Sequence, residues 1–224
     1  MKNMMIPLIQ PFKTVVLANG AFPAHEIPRS FLRNAEHVIC CDGATKNLLA
    51  MGIEPDFIIG DMDSISEDLK RRFESILIHI SEQENNDLTK AVNFCCVHDW
   101  DCITILGATG KRDDHTLGNI SLLANYAIAI KVQMLTDYGV FVPQLLQPKA
   151  TYESYIGQQV SLFSLHTDTL FTTKNLAYPL ENRALTTWWQ GSLNEATADN
   201  FTIEMDTGKA LIFREYEQLI THKS

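Results

Sequence analysis

Short apolar runs alternate with longer segments of helical period over the first two thirds of the chain. The apolar runs cover residues 14–18, 37–41, 57–59, 76–80, 102–106 and 131–135, and their lengths are typical of buried strands. Parallel strands need long crossover connections, which the helical segments supply. The alternation therefore predicts an α/β domain with a parallel sheet over residues 12–143.

Two of the intervening segments carry clear helical signals. Between Asn86 and His98, apolar residues recur at spacings of three and four, which predicts one amphipathic helix. A second helix is predicted to begin near Asp113 or Asp114 and to continue to about Ile130, because acidic residues are favoured in a first turn.

The pattern changes after residues 142–148, where two prolines end the alternation and mark a boundary. Beyond it, short strands are predicted at 159–165, 169–173, 184–189, 201–205 and 210–214. The residues 206–209 read Asp-Thr-Gly-Lys, a hairpin turn signal between the last two strands. We therefore predict a smaller all-β domain, a sandwich, over residues 150–222.

Composition excludes several classes of protein. With 46% hydrophobic and 20% charged residues, the 224-residue chain is an ordinary globular sequence. Its formal charge of -9 argues against non-specific nucleic-acid binding, which needs clustered basic residues. No segment approaches the ~20 apolar residues of a membrane span.

The cysteines indicate a reducing compartment. Five are present without a Cys-x-x-Cys pair, and the N-terminus does not read as a signal peptide, so we expect a cytoplasmic protein. Cys95 and His98 could share a helix face and bind a metal. A structural zinc site usually has four such ligands, which disfavours that interpretation.

Acidic residues stand where apolar runs end, and this is the main functional signal. They are Asp42, the pair Asp61 and Asp63, Asp87, and Asp113 with Asp114. Mg²⁺ is usually held by carboxylates together with substrate phosphates, so the pattern suggests a magnesium–phosphate site. Asp61 and Asp63 are two residues apart, which puts both within reach of one metal. The alternative is a polar loop with solvated acids and Ser64 as a helix cap.

The segment 107–115 follows the strongest strand and opens a helix. Backbone N–H groups there can meet a phosphate, and Arg112 could add a bidentate contact. It is not a Walker A loop, since no Ser or Thr follows Lys111. Alternatively, it is a Gly-rich connection with Asp capping, in which His115 is a structural hydrogen-bonding residue.

Two further pairs leave alternatives open. Asp87 and Lys90 lie three apart on one helix face, where they could address metal and phosphate or merely form a surface pair. Trp188 and Trp189 lie in a predicted strand and so point to opposite faces. One would then be core, and the other could stack on a planar or cationic ligand.

Taken in order, these segments resemble the thiamin pyrophosphokinase family. Residues 41–44 are similar to its D-G-G-A segment, residues 60–64 match G-D-x-D-S, and residues 107–119 match G-x-x-G-x-R-x-D-H-x-x-x-N. Residues 175–180 resemble G-L-K-Y-P-L. The chain departs from Q-D-x-T-D-x-x-K-A at Glu84 and Asn86, and from G-x-S-N-E at Leu193, where Ser192 could supply the hydroxyl.

The resemblance implies Mg²⁺-dependent transfer of pyrophosphate from ATP to the hydroxyl of thiamin, giving thiamin diphosphate and AMP. It also implies a Rossmann-like nucleotide domain and a homodimer whose thiamin sites combine the α/β domain of one subunit with the β domain of the other.

The resemblance implies a role for each matching residue. Asp61, Asp63 and Asp87 would hold the metal, and Lys90 and Arg112 would contact phosphates. Asp114 would orient or deprotonate the thiamin hydroxyl; alternatively, a metal-bound phosphate would accept that proton. The nucleotide contacts would come from Asp42, Gly43, Ser64, Gln83, Gly107, Gly110, Arg112, His115 and Asn119. The candidate thiamin contacts are Asp114, either Trp188 or Trp189, Ser192 and Asn194.

Two other functions fit the acidic pattern. A metal-dependent phosphohydrolase also uses acidic pairs at strand ends. A nucleotide-sensing module would keep the pocket without the chemistry.

Overall fold

A computed structural model describes residues 5–145 and 149–216. The described residues form two compact units, one of residues 11–137 and the other of residues 5–10, 138–145 and 149–216. The division falls ahead of the predicted boundary segment 142–148, of which 146–148 lie outside the described residues. Residues 217–222 of the predicted second domain also lie outside them.

The helices and strands of the described chain are as follows, in chain order. The strands are β1 Met5–Ile6, β2 Thr14–Leu17, β3 His37–Cys41, β4 Phe57–Gly60, β5 Leu77–His79, β6 Cys102–Leu106, β7 Lys131–Leu135, β8 Gly139–Leu145, β9 Lys149–Glu153, β10 Gln159–Ser164, β11 Leu170–Lys174, β12 Arg183–Ala184, β13 Asn194–Glu195, β14 Asn200–Met205 and β15 Lys209–Glu215. The α-helices are α1 Glu26–Arg33, α2 Thr45–Ala50, α3 Glu67–Arg72, α4 Asp87–Val97 and α5 Asp113–Tyr126. Of these helices, none has the length and apolar character needed to cross a membrane.

The α/β unit contains a parallel sheet with the strand order β7-β6-β2-β3-β4-β5. All six predicted strands and both predicted helices are confirmed. The predicted stripe of α4, made of Leu88, Ala91, Val92 and Cys95, is buried. The first strand of the unit, β2, has β3 on one side and β6 on the other, so the order of the chain reverses at β2. Ligands of open α/β sheets bind beyond the carboxyl ends of the strands at such a point.

The second unit consists of two sheets. One has the order β1-β9-β14-β11-β12, and the other contains β13, β10, β15 and β8 in antiparallel pairing. Since β14 and β15 belong to different sheets, the predicted hairpin at residues 206–209 is wrong. That turn instead connects the two sheets, with Gly208 at φ 82°.

The predicted strand at residues 184–189 is also wrong. Strand β12 ends at Ala184, and Trp188–Gly191 form a 3-10 helix. Its start is fixed by a capping box, in which Thr187 and Gln190 each accept a hydrogen bond from the other's backbone N–H. This capping preference outweighs the β propensity of the two tryptophans.

The buried Arg214 on β15 holds the N-terminal segment in the second unit. Its guanidinium lies 5.1 Å from the centre of the Tyr152 ring. Burial lowers the pKa of Arg214 to about 10. It donates to the carbonyl oxygens of Glu153 at 2.9 Å, Ile6 at 3.4 Å, Pro7 at 2.9 Å and Leu8 at 3.1 Å. The Arg214 side chain thus joins the N-terminal segment to β9 and β15, two strands that are distant in sequence.

Arg214→Lys is expected to lower the free energy of unfolding by about 1–3 kcal/mol. The Lys ammonium group lacks the planar set of N–H donors of the Arg guanidinium and would leave buried carbonyl groups without donors. Urea denaturation measures the change, with Arg183→Lys on the exposed end of β12 as the control. Equal midpoints for the two variants would contradict the role given to Arg214.

Candidate functional site

Three carboxylates converge beyond the carboxyl ends of neighbouring strands. Asp42 directly follows β3, Asp61 directly follows β4, and Asp87 opens the helix that comes after β5. Because β3, β4 and β5 are adjacent and parallel, their carboxyl ends lie at one edge of the sheet. Oxygen atoms of the three carboxylates lie within 4.8 Å of one another.

Asp42 is the buried member of this carboxylate group. It accepts hydrogen bonds from the backbone N–H of Gly43 at 2.5 Å and of Ser64 at 3.4 Å. Gly60 makes room for it, since a Cβ there would lie 2.8 Å from the Asp42 Cγ. Burial raises the pKa of Asp42, and the charge of Asp87 raises it further.

Asp61 is held by its own loop, and Asp63 lies outside the carboxylate group. The backbone N–H of Asp63 donates to Asp61 Oδ1 at 3.1 Å, which lowers the pKa of Asp61. Gln83 donates to the other oxygen at 3.5 Å. Met62 is buried with φ at 67°, so the chain bends there instead of staying extended. The structure therefore groups Asp42, and not Asp63, with Asp61 and Asp87; the metal-binding role of Asp63 stays a prediction.

Lys90 is a buried counter-charge within the carboxylate group. Its side chain is 3% exposed, and Nζ lies 3.2 Å from Asp87 Oδ1. This excludes the interpretation of Asp87 and Lys90 as a surface pair. When the three carboxylates are ionised, one ammonium leaves them with excess negative charge, which a divalent cation would offset. Carboxylate oxygens at this spacing are the donor set that suits Mg²⁺.

A pocket of 430 Å³ extends from the carboxylate group to the loops after β2 and β6. Gly20 donates to the Gly107 carbonyl oxygen at 2.6 Å, and a Cβ on Gly20 would lie 2.3 Å from that oxygen. Lys111 Nζ donates to Asn19 Oδ1 at 3.0 Å, which joins the same two loops. The two loops therefore approach each other closely at the point where the strand order reverses.

The pocket brings together many of the predicted nucleotide residues. Its lining includes five of them, Ser64, Gln83, Arg112, His115 and Asn119, together with the predicted metal and phosphate residues Asp61, Asp87 and Lys90. The other four predicted nucleotide residues, Asp42, Gly43, Gly107 and Gly110, are not among the lining residues. The lining also contains residues that were not predicted for the site, among them Asn19, Gly20, Cys41 and Lys111. An Asn-Gly turn signal directly after a buried strand could have indicated the first two.

Arg112 and Asp114 form an exposed ion pair at the start of α5. Arg112 Nε donates to Asp114 Oδ1 at 3.1 Å, and Nη2 donates to Oδ2 at 2.5 Å. The hydrogen bond from Arg112 lowers the pKa of Asp114 to about 2. Asp114 is thus ionised at neutral pH, and so low a pKa makes it a weak general base.

The second unit has its own pocket of 410 Å³, lined in part by Trp189, Ser192 and Asn194. Trp189 is 75% exposed. Trp188 is fixed differently, since its indole N–H donates to the Ser164 carbonyl oxygen at 3.0 Å. Trp188 is 38% exposed, so the prediction that one of the two tryptophans is core is wrong, and both lie in a 3-10 helix instead of a strand.

The polar residues of this second pocket hold its loops. Asn194 Oδ1 accepts from the Tyr178 N–H at 3.0 Å, and Asn194 Nδ2 donates to the Tyr178 carbonyl oxygen at 2.8 Å. The Ser192 hydroxyl donates to the Trp189 carbonyl oxygen at 2.7 Å. Leu193 is 78% exposed with φ at 59°. Tyr178, Trp189 and Leu193 consequently present apolar surface at the pocket.

The fold and the two pockets define a class: an α/β protein with an acidic, phosphate-sized pocket at its strand ends and an additional β unit with an aromatic pocket. A family model described as the thiamin pyrophosphokinase catalytic domain matches residues 28–134, and one described as the substrate-binding domain matches residues 139–213. The chain belongs to the thiamin pyrophosphokinase family.

Individual relatives agree with this assignment. The chain is 38% identical over 117 residues to thiamine pyrophosphokinase of Bacillus subtilis, covering 50% of this chain and 54% of the relative. It is 30% identical over 171 residues to thiamine pyrophosphokinase 2 of Oryza sativa subsp. japonica, covering 65% of this chain and 62% of the relative. These sequence matches span less than two thirds of either relative.

Solved structures match over most of the chain. The crystal structure of the Bacillus subtilis thiamine pyrophosphokinase has a TM-score of 0.73 and 26% identity, covering 92% of this chain and all of that one. Thiamin pyrophosphokinase from Candida albicans has a TM-score of 0.77 and 20% identity, covering 95% of this chain and 93% of that one. The likeness therefore extends over both units.

Asp42→Asn is expected to stabilise the metal-free protein at neutral pH by about 0.5–1.5 kcal/mol, since it removes a buried charge that Asp87 repels. A carboxyl whose pKa is raised by folding destabilises the fold above that pKa, and the penalty disappears as the pH falls through it. The advantage of the variant should therefore shrink on acidification. Urea denaturation in a chelator measures it.

The control is Asp99→Asn, which removes one exposed acid at a position with φ of 55° that Asn tolerates. We expect no comparable gain from it. Added Mg²⁺ should stabilise wild type and the control but not Asp42→Asn. A stability difference between Asp42→Asn and wild type that does not change with pH would contradict the repulsion, because replacing an acceptor oxygen at the Gly43 or Ser64 N–H by an amide NH2 affects stability without such a pH dependence.

Proposed function

We propose that this protein transfers a pyrophosphoryl group from ATP to the hydroxyl of thiamin and releases AMP. The proposal rests on one observation: the carboxylate group Asp42, Asp61 and Asp87, with the buried Lys90, lies at one end of a pocket of 430 Å³. The family membership supports thiamin diphosphate as the product.

The pocket has complementary groups for a triphosphate and its metal. Asp42, Asp61 and Asp87 would hold Mg²⁺, which when bound would shield the charge of the phosphates. Lys90 and Arg112 come from the starts of two different helices, so their cationic groups can contact phosphates from two sides. The loops around Gly20 and Gly107 offer backbone groups where a nucleotide approaches.

Thiamin recognition would use the apolar and acidic features outside the phosphate pocket. Thiamin carries a fixed positive charge on its thiazolium ring, and Trp189 presents an exposed aromatic face suited to such a cation. Asp114 supplies a carboxylate that stays ionised at neutral pH. Following the resemblance, we propose a homodimer in which each thiamin site combines the α/β unit of one subunit with the β unit of the other.

The mechanism assigned to these residues is positioning and charge stabilisation. Arg112 orients Asp114 through two hydrogen bonds. With its pKa near 2, Asp114 would orient the thiamin hydroxyl through an accepted hydrogen bond, and the proton would pass to a more basic phosphate oxygen. Lys90 and Arg112 would stabilise the charge that develops on the phosphate oxygens.

The central prediction is that ATP, Mg²⁺ and thiamin together yield one AMP for each thiamin diphosphate. Chromatography of the nucleotides and thiamin products measures this ratio. Phosphate release from ATP without thiamin would instead indicate a phosphohydrolase. Nucleotide-induced stabilisation without any AMP would indicate a sensing module.

Variants in the acidic loop sharpen this test. Asp61→Asn should lower kcat by about 100-fold or more, because it removes a carboxylate oxygen from the group. The melting temperature of this variant without ligand should stay near that of wild type. An equal loss in Asp63→Asn would return Asp63 to the set of metal ligands.

Asp114→Asn is expected to raise the KM for thiamin by about tenfold, because a neutral amide attracts the thiazolium charge less than a carboxylate does. The shape of the pH–rate profile between about pH 6 and 9 should not change, since a carboxyl with a pKa of about 2 does not titrate there. The matched control is Asp113→Asn in the same helical turn. Loss of a pH-dependent limb in Asp114→Asn would show that Asp114 acts as a base.

A further inference from the structure

The starts of two helices line the phosphate pocket. Helix α4 carries Asp87 and Lys90 in its first turns, and the start of α5 carries Arg112 and His115. Both helices begin at loops, which by themselves do not fix the distance between the two sets of side chains. Because phosphoryl transfer depends on alignment of the reacting atoms, something must hold these helix starts in register.

A chain of amide hydrogen bonds joins the two helix starts. Asn86, the N-cap of α4, donates from Nδ2 to Asn119 Oδ1 at 3.2 Å. Asn119 donates from its own Nδ2 to the Ala108 carbonyl oxygen at 2.8 Å, in the loop after β6. Asn119 lies one helical turn beyond His115, so it is on the face of α5 that lines the pocket.

The same Asn86 side chain also caps its own helix. Its Oδ1 accepts from the Thr89 backbone N–H and from the Thr89 hydroxyl, both at 2.8 Å. The Thr89 hydroxyl also lies 2.7 Å from the Tyr126 hydroxyl near the end of α5. Since the single proton of Thr89 goes to Asn86, Tyr126 is the donor in that contact. The two helices are therefore tied at two points along α5.

We propose that Asn86 is a positioning residue that fixes the start of α4 against the phosphate loop through Asn119. Asn divides two tasks between two atoms: Oδ1 caps the helix and Nδ2 makes the bridge. The Asn86 amide therefore joins the metal-binding side of the pocket to the phosphate side.

The assignment deepens the proposed function and rests on it for the turnover readout. Asn86→Thr keeps an N-cap oxygen but removes the amide donor. We expect kcat for AMP formation to fall about fivefold, in keeping with the loss of one hydrogen bond that aligns reacting groups. The KM for ATP should change less than about twofold, and the melting temperature should stay near wild type, because the cap is retained.

A double-mutant cycle isolates the bridge. In an Asn119→Ala background, Asn86→Thr should have no further effect on kcat, since its partner is already missing. Additive losses in the cycle would overturn the proposal. The control is Ser66→Thr, which exchanges the capping residue of α3 outside the pocket and should leave kcat unchanged.

A failure of the proposed function can be told apart from a failure of this inference. If wild type forms no AMP, the reaction proposed above is wrong. The same cycle is then followed by urea unfolding, which needs no turnover. Non-additive effects of Asn86→Thr and Asn119→Ala would support the bridge, and additive effects would overturn it.

Discussion

Mutual repulsion among Asp42, Asp61 and Asp87 is the constraint on which the site depends. Oxygen atoms of these carboxylates lie within 4.8 Å of one another, so the surrounding structure must hold them against their repulsion. The strands behind them are fully buried at Val16, Ile39 and Ile58, and such close-packed cores transmit strain instead of relaxing it. Packing of the apolar core therefore offsets the repulsion among the three carboxylates. A bound divalent cation would remove this repulsion, so binding of the cation is favoured.

Much of the α/β unit could be predicted because its signals are local. A parallel strand that is buried on both faces has a continuous apolar sequence, and all six apolar runs of the α/β unit form strands. Local signals did not indicate which of the acidic residues form the carboxylate group. Asp42 enters the carboxylate group through hydrogen bonds from Gly43 and Ser64 and through space left by Gly60. Asp63 is directed elsewhere by the left-handed backbone of Met62, which no spacing rule indicates.

The β unit was harder to predict, because antiparallel partners are chosen by tertiary packing. The residues between β14 and β15 carry an ordinary hairpin signal, yet the two strands lie in different sheets. The N-terminal strand β1 pairs with β9, and Arg214 closes it onto the unit from a position at the other end of the chain. Only long-range hydrogen bonding reveals such contacts, since a lone Arg in an apolar strand gives no hint of four carbonyl partners.

The position of helix α4 determines how close Asp87 lies to Asp42 and Asp61. Asp42 and Asp61 directly follow strands, whereas Asp87 belongs to helix α4. Repulsion from the other two carboxylates acts to push the start of α4 outward. Burial of Lys90, the contact between Asn86 and Asn119, and that between Thr89 and Tyr126 all oppose such a shift. The packed strands thus fix the positions of Asp42 and Asp61. The hydrogen bonds between α4 and α5 hold Asp87 close to them.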